Sequence, residues 1–504
     1  MPSARRLPIL RRTRRRRDGG LRCLIVGAGE AGRALARDLR RTPEFGLDPI
    51  GFLDDDPVAV RRAVAGVPLL GATGELARIA EQRSVDVVIV AIPSLPAAKI
   101  RELVLAGAAA GANVRYLPTF VAALERDARV SDLRHLRVDH LLGRQEMRVV
   151  RTASRAVVAG KRVLVTGAGG SIGSELCRQI AAFGPEALYL LDHDESNLHR
   201  LQLQLHGRAL LDSDELIIAD IRDRDRIRQI FADHRPQVVF HAAAHKHLPL
   251  LEMHPCEGVK SNVLGTLNLV EAALETGVER FILISTDKAA DPSSVLGATK
   301  RVAEMILQER DDAATRFASV RFGNVLGSRG SFLSVLSEQI ENGEAVTVTH
   351  PDVTRFFMTV EEAVGLVIEA ASMASGGEVF VLDMGEPVRI VDLVRNYAAQ
   401  IHLDADDITI SYTGLRPGEK LSESLFSQHE SRVPTAHPEI WATTPLQDGG
   451  NAFTWRLSEL FAAAAANRAE EVRQRLFQLV PESTPPAAHS SSAAALAAPY
   501  PDGF

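Results

Sequence analysis

Thr166-Gly167-Ala168-Gly169-Gly170-Ser171-Ile172-Gly173 decides the fold of this 504-residue chain. The stretch follows the apolar run Val163-Leu164-Val165, which reads as a buried strand, and it opens onto a helical pattern over 174–181. Glycines at 167, 170 and 173, set between a strand and a helix, let the backbone turn tightly and approach a ligand closely. The helix N-terminus beyond them suits a pyrophosphate. A tight turn with no ligand is the weaker reading, because strand, loop and helix coincide.

Working outward, further strands are predicted over 187–191, 215–218, 238–241 and 281–285, with helical patterns between them. That alternation predicts an α/β fold with a doubly wound parallel sheet. The strand over 187–191 runs into Asp192, at the spacing of an acidic ribose ligand. A carboxylate there binds both ribose hydroxyls of NAD and repels the 2′-phosphate of NADP, so NAD is the expected cofactor. Asp220 and Ile221 follow the next strand and are placed to reach the adenine. Ser171, Ile172 and Ala242, at the loop and at a further strand end, complete the expected cofactor set with Gly167, Gly170 and Gly173.

A second fingerprint lies upstream. Strand patterns over 22–26, 49–53 and 85–92 surround Gly27, Gly29 and Gly32, with Asp54 after the second strand. No acid/base constellation accompanies it, so a vestigial or regulatory nucleotide site and a bare structural turn stand about level. The expected organisation is a basic tail over 1–20, a Rossmann-like domain over 21–150, a catalytic domain over 151–482 and a disordered tail over 483–504. The overall expectation is two Rossmann-like doubly wound parallel-sheet domains, the second with a C-terminal substrate-binding lobe. A last helical segment is predicted over 454–480.

Composition removes several classes. A net charge of −6 carries no global nucleic-acid signature. Three cysteines without CxxC spacing fit a reducing compartment without disulfides or a zinc site. His241, His245 and His247 have no carboxylate or cysteine at zinc-like spacing, so no metal is expected. No run of about 18 apolar residues exists, so no bilayer-spanning segment is expected. The arginines at 11, 12 and 14–17 read as a solvated tail, or as a segment lying against an anionic membrane surface.

The chemistry gathers at Ser285-Thr286-Asp287-Lys288, emerging from the strand over 281–285, and at Lys300 on the following helix. Strand ends of this kind are where doubly wound sheets bind ligands. Leu296 sits four residues before Lys300, on the same helical face, and a leucine cannot relay a proton.

The stretches VTGAGGSIGSELCRQI, HAAAHKHLPLLE, SNVLGTLNLVEAA, ISTDKAADPSSVLGATKRVAE, VRFGNVLGSRGSF, HPDVTRFFMT, FVLDMGEP and GLRPGEKL resemble the CapD-like polysaccharide biosynthesis family. These are nucleotide-sugar 4,6-dehydratases and epimerases among the extended short-chain dehydrogenases/reductases. VGAGEAG and GFLDDDP also resemble the family's long-form members. Such members usually begin with several transmembrane helices, which are missing from this sequence, and usually hold methionine where Leu296 stands. Met to Leu keeps the position apolar and leaves the family's tyrosine-free chemistry intact.

The resemblance implies dehydration by internal redox on a UDP-N-acetylhexosamine, most simply UDP-N-acetylglucosamine. C4 is oxidised by NAD, water is lost across C5 and C6, and C6 is then reduced to a methyl. Thr286 with Lys300 would serve the C4 hydroxyl, and Lys300 would hold the nicotinamide ribose. Lys288 would take the C5 proton, for which it needs a lowered pKa. Asp287 would protonate the leaving C6 hydroxyl, although these two roles could be exchanged. On the substrate side the expected residues are Lys246, Asn324, Arg329, Arg416 and Glu419, with Arg416 on the diphosphate and Glu419 on the uridine ribose. Asn262 supports either the cofactor pocket or a strand end. A homo-oligomer in the cytoplasm, at or near the membrane's inner face, is expected. The competing readings are a UDP-sugar epimerase, a C5-inverting dehydratase and a non-catalytic nucleotide sensor or scaffold.

Overall fold

The computed structural model describes residues 21–41, 47–55, 66–92, 99, 102–103, 106–107, 110–116, 134–135, 152–207, 210–310, 314–326, 332–341, 344–400, 408–443 and 450–480. Both expected tails and Arg329 lie outside these residues. The chain divides into two compact units, Met1–Arg148 with Gln400–His402, and Val149–Ala399 with Leu403–Phe504. No described helix is long and apolar enough to cross a membrane.

In the first unit the strands are β1 (Leu21–Val26), β2 (Leu47–Leu53), β3 (Leu69–Gly71), β4 (Val87–Val90), β5 (Asn113–Tyr116) and β6 (Arg134–His135). They form one sheet in the order β3-β2-β1-β4-β5-β6, parallel except where β6 meets β5. Alternation along β1 and β4 builds a core on each face. Leu24, Val26, Val88 and Val90 enter one cluster, while Cys23, Ile25, Val87 and Ile89 enter the other. Burial of both faces explains the continuous apolar runs. The strand expected over 85–92 runs only over Val87–Val90, and at its start the Val85 N–H closes the preceding helix on Ala80 O at 2.9 Å.

The second unit continues with β7 (Arg162–Thr166), β8 (Ala187–Asp192), β9 (Leu216–Ile218), β10 (Val238–His241), β11 (Arg280–Ile284) and β12 (Arg316–Arg321). Beyond these come β13 (Asn324–Leu326), β14 (Val346–Val348), β15 (Thr354–Arg355), β16 (Phe357–Thr359) and β17 (Glu378–Leu382). The last are β18 (Val388–Arg389), β19 (Ile410–Tyr412), β20 (Val433–Pro434) and β21 (Ile440–Thr443). Nine of these strands make the main sheet, ordered β20-β21-β17-β12-β11-β10-β7-β8-β9. It is parallel from β9 to β17, with β21 and β20 antiparallel at the far edge. The strand order reverses between β7 and β10, and the carboxyl ends there are the place for a ligand in such sheets.

Three small pairs, β13 with β16, β14 with β19 and β15 with β18, build the lobe beyond the sheet. The doubly wound α/β expectation therefore holds, and the second unit carries a mixed C-terminal part. The helical segment expected over 454–480 is two helices, Gly450–Ala465 and Ala469–Leu479. They are separated by Asn467 at φ 53°, a left-handed conformation that asparagine tolerates. Their apolar residues Phe453, Leu457, Leu460, Val472 and Leu476 share one core with Val295, Leu296, Val302 and Ile306 of the helix Val295–Gln308. The helix that bears Lys300 is thus fixed from behind.

Candidate active site

The glycine loop is built by close backbone approach. The helix after it, Ser171–Ala181, begins earlier than expected, taking Ser171, Ile172 and Gly173 into its first turn. A Cβ on Gly173 would stand 2.0 Å from Gly167 O. One on Gly167, which has φ +67°, would stand 2.6 Å from Ala243 N, against the loop that follows β10. Only glycine fits at these two contacts. Gly170 is the N-cap and supplies no capping side chain, whereas Asp194, Asp223 and Ser294 cap the helices they precede. Backbone donors at the start of the helix can therefore serve an anion.

Asp192 ends β8 and is buried. Its Oδ2 accepts from Gly169 N at 2.8 Å and its Oδ1 from Asp194 N at 3.0 Å. These bonds hold the carboxylate beside the loop and leave lone pairs for ribose hydroxyls. Ile221 is buried against Gly265, where a Cβ would meet its side chain at 2.6 Å. Ala242 N donates to Thr166 O at 3.0 Å, continuing β10 beside β7. Arg222 grips the Asp220 carboxylate at 2.6–3.0 Å and lowers its pKa. The cradle, the acid at the second strand end and the helix start together fit a dinucleotide.

Thr286, Asp287 and Lys288 leave the end of β11 and are held along the end of β12. Ser285 N donates to Val320 O at 2.8 Å, and Asp287 N donates to Phe322 O at 3.0 Å. The Thr286 hydroxyl donates to Asp287 Oδ1 at 2.9 Å, and Lys288 Nζ donates to the same oxygen at 3.0 Å. Asp287 is fully buried, and its Oδ2 has no hydrogen-bond partner among the described residues. A Cβ on Gly323 would come within 3.2 Å of that oxygen.

The requirement of a lowered Lys288 pKa is corrected. Burial opposes its charge, yet the carboxylates of Asp287 and Glu423 outweigh burial and raise the pKa, so Lys288 is held as an ammonium. Lys300 behaves in the opposite way. Burial pushes it down to about 8, against the pull of Glu304 one turn further along. Leu296, on the same helix, is buried too.

Glu419 and Asn324, both expected on the substrate side, are anchored in the lobe. Glu419 Oε1 accepts from Arg355 Nη2 at 2.8 Å and from the Thr349 hydroxyl at 3.1 Å, and its Oε2 accepts from Arg416 N at 3.2 Å. Its carboxylate is thereby paired with the buried Arg355 guanidinium. Asn324 pairs β13 to the lobe, its N–H donating to Phe356 O at 3.0 Å. Arg416 and Lys246 are exposed. Asn262 lies in the wide helical turn Val259–Leu264 and clamps the loop after β10. Its side chain exchanges hydrogen bonds with the His245 backbone at 2.9 and 3.1 Å and donates to the Thr299 hydroxyl at 3.1 Å. His241 is buried between the hydroxyls of Thr166 at 2.7 Å and Thr266 at 2.9 Å, and burial keeps its pKa well below the ordinary value.

Sequence reasoning missed a buried ionic group behind the site. Arg321 bonds Glu304 at 2.7 and 2.6 Å and Glu430 at 2.7 and 2.9 Å, while Arg301 approaches the same two carboxylates at 3.1 and 3.4 Å. The Ser285 hydroxyl donates to Glu304 at 2.6 Å, tying the residue before Thr286 into the group. Glu304 had a signal, since it sits four residues after Lys300 on one helical face. Glu423 and Glu430 had none: they lie in a polar, non-periodic loop.

The upstream fingerprint has the same construction. A Cβ on Gly32 would stand 2.0 Å from Gly27 O, and Ala28 N donates to Asp54 Oδ2 at 2.6 Å. Asp55 accepts from Thr73 N at 2.8 Å and from its hydroxyl at 2.7 Å.

Comparison with known proteins adds the following. The model of a polysaccharide biosynthesis protein family matches residues 163–445, and that of a CoA-binding domain matches residues 4–118. The chain is 42% identical over 431 residues to the probable polysaccharide biosynthesis protein EpsC of Bacillus subtilis, covering 85% of this chain and 72% of that protein. It is 30% identical over 292 residues to an inverting UDP-N-acetylglucosamine 4,6-dehydratase of Campylobacter jejuni, covering 57% of this chain and 83% of that enzyme. The solved structure of Pen from Bacillus thuringiensis is 31% identical, with a TM-score of 0.53, and the match covers 58% of this chain and 90% of Pen.

Proposed function

Because this chain belongs to the polysaccharide biosynthesis protein family, we propose that it is a nucleotide-sugar dehydratase that removes water across C5 and C6 of a UDP-N-acetylhexosamine, UDP-N-acetylglucosamine first. The observation that carries this reading is the strand-end group Thr286-Asp287-Lys288 beside buried Lys300, with apolar Leu296 where a proton-relaying tyrosine would stand. A 4-epimerase working through tyrosine is disfavoured by the same leucine. The similarity to the Campylobacter dehydratase supports the choice of sugar and reaction.

NAD is the cofactor proposed for the glycine loop, with Gly167, Gly170, Ser171, Ile172, Gly173, Ile221 and Ala242 around it and Asp192 at its ribose. Bound there, it supplies reversible oxidation at C4 and reduction at C6. The remaining work falls to side chains. Thr286 and Lys300 handle the C4 hydroxyl proton, and a lysine near pKa 8 is suited to exchange protons at neutral pH. Oxidation at C4 makes the C5 proton acidic. Lys288, held as an ammonium, is the donor to the leaving C6 hydroxyl, and the Asp287 carboxylate, with Oδ2 available, takes the C5 proton. This exchanges the two roles first assigned from the sequence. Arg416, Lys246 and Asn324 are the proposed contacts for the diphosphate and sugar, and Glu419 for the uridine ribose.

The test is incubation of the purified protein with UDP-N-acetylglucosamine, followed by mass spectrometry and proton NMR. Loss of one water with a new C6 methyl signal is expected, and the C5 coupling reports retention or inversion. An unchanged mass with UDP-N-acetylgalactosamine formed would replace dehydration by epimerisation.

A further inference from the structure

Lys288 stands beside two buried carboxylates. Asp287 Oδ1 is 3.0 Å from its Nζ, and Glu423 Oε1 is 3.9 Å away. Glu423 comes from the loop that follows Gly-Leu-Arg-Pro-Gly-Glu-Lys, and its side chain is only 3% exposed. The other cations facing it are Arg355 and Lys420. Arg355 bonds Glu419 and the carbonyls of Thr354 and Leu421. Lys420 donates to the carbonyls of Ala290 and Asp291 at 3.3 and 2.5 Å. Both give their hydrogen bonds to other groups, and Lys288 gives its own to Asp287. What the Glu423 carboxylate lacks is a hydrogen-bond donor among the described residues, its ion pair with Lys288 being 3.9 Å long, and a side chain only 3% exposed without such a donor favours its neutral, protonated form.

Resting on the dehydratase reading above, we propose that Glu423 holds a proton in the resting enzyme and passes it to Lys288 during water loss. Glu423 acts through Lys288 and is a positioning and proton-storing residue, set back from the sugar. Burial raises its pKa, with Asp287 adding to the effect and Lys288 opposing it.

The protons balance. As the C6–O bond breaks, Lys288 gives a proton to the leaving hydroxyl and Asp287 takes the C5 proton. The Glu423 proton then moves to the Lys288 amine, leaving a glutamate beside an ammonium. After C6 is reduced, Asp287 returns its proton to C5. The C4 hydroxyl released one proton at the start, equal to the one carried off in water, and this restores Glu423 through solvent. No oxidant beyond the internal redox is required.

The full chain, loaded with NAD, is compared as wild type, Glu423→Gln and Glu423→Asp with UDP-N-acetylglucosamine. For the Gln variant kcat should fall at least about 10-fold with KM changed less than about 2-fold, and the alkaline limb of kcat should move down by about one pH unit. The Asp variant should recover part of the loss. Independently of turnover, wild type should show an infrared band of a protonated buried carboxylic acid that disappears in Glu423→Gln. Equal kcat and pH profiles in wild type and Gln variant would overturn the proposal while leaving dehydration standing. So would an absent band in wild type, which decides the matter even if the Gln variant does not fold. Failure of wild type itself to release water would sink the dehydratase reading and this inference with it.

Discussion

Arg321 grips Glu304 through two parallel hydrogen bonds of 2.7 and 2.6 Å, with both side chains fully buried. The pair joins the end of β12 to the helix that carries Lys300, and Glu430 and Arg301 make it a neutral quartet. Mutual attraction keeps the Glu304 pKa low despite burial. Fork-to-fork geometry of this kind is strong and directional.

Breaking one member of such a group leaves a buried, uncompensated charge. Glu304→Gln is expected to lower unfolding stability by about 3–5 kcal/mol. Urea unfolding of both proteins measures it. The Ser285 hydroxyl loses its carboxylate partner at the same time, so the Thr286 end of the site should loosen. A loss below about 1 kcal/mol would mean that the quartet is not a structural tie.

Lys300 makes a prediction of opposite sign. Its pKa is pushed down to about 8 by burial, so the folded state holds its proton more weakly than the unfolded chain does. The unfolded state binds more protons between about pH 8 and 10.4, and stability attributable to this residue rises with pH across that window. At pH 7 the buried ammonium carries its full cost. Lys300→Met should therefore be more stable than wild type at pH 7, by on the order of 3 kcal/mol, while losing activity. The gain should fade by about pH 10.5. Paired urea curves at the two pH values check this, and a variant less stable than wild type at pH 7 would contradict it.

Much of the fold was legible because its elements are locally consistent. The apolar runs at Val163–Val165 and Val238–Phe240 are buried on both faces, and each lies between glycine- or polar-rich ends. The glycine fingerprint and Asp192 were legible for the same reason: one local stretch encodes strand, turn and helix. What escaped depends on contacts distant in sequence. Glu430 meets Arg321 across 109 positions, and Glu423 reaches Lys288 from a loop without periodicity. The direction of the Lys288 shift also required three dimensions, since burial alone favours the neutral amine and only the placement of two carboxylates reverses it. Asn467, which divides the last helical segment, is one residue in a favourable helical pattern and gave too weak a local signal.

Gly173 offers a test of the cofactor loop that is independent of the sugar. A Cβ there would meet Gly167 O at 2.0 Å and Gly167 C at 2.8 Å, and both belong to backbone. Gly173→Ala must push the helix start away from β7. Purified protein should lose most of its bound NAD, measured by releasing and assaying nucleotide, with stability lowered by about 1–3 kcal/mol. Full NAD retention would remove this loop from the proposed cofactor site.

Asp287 gives the most direct test of the chemistry. Its Oδ1 is engaged by Thr286 and Lys288, and its buried Oδ2 has no hydrogen-bond partner among the described residues. Asp287→Asn preserves the shape but removes a charge that raises the Lys288 pKa. The amide can neither accept the C5 proton nor hold Lys288 as firmly protonated, so both halves of water loss suffer together. Turnover of UDP-N-acetylglucosamine should fall by at least about 100-fold. Oxidation at C4, which uses Thr286 and Lys300 instead, should survive. Reduced cofactor absorbance should then build up on adding the sugar nucleotide, without loss of water by mass spectrometry. Normal water release by this variant would exclude Asp287 from the proton transfers. Loss of the absorbance change as well would place it at the C4 step.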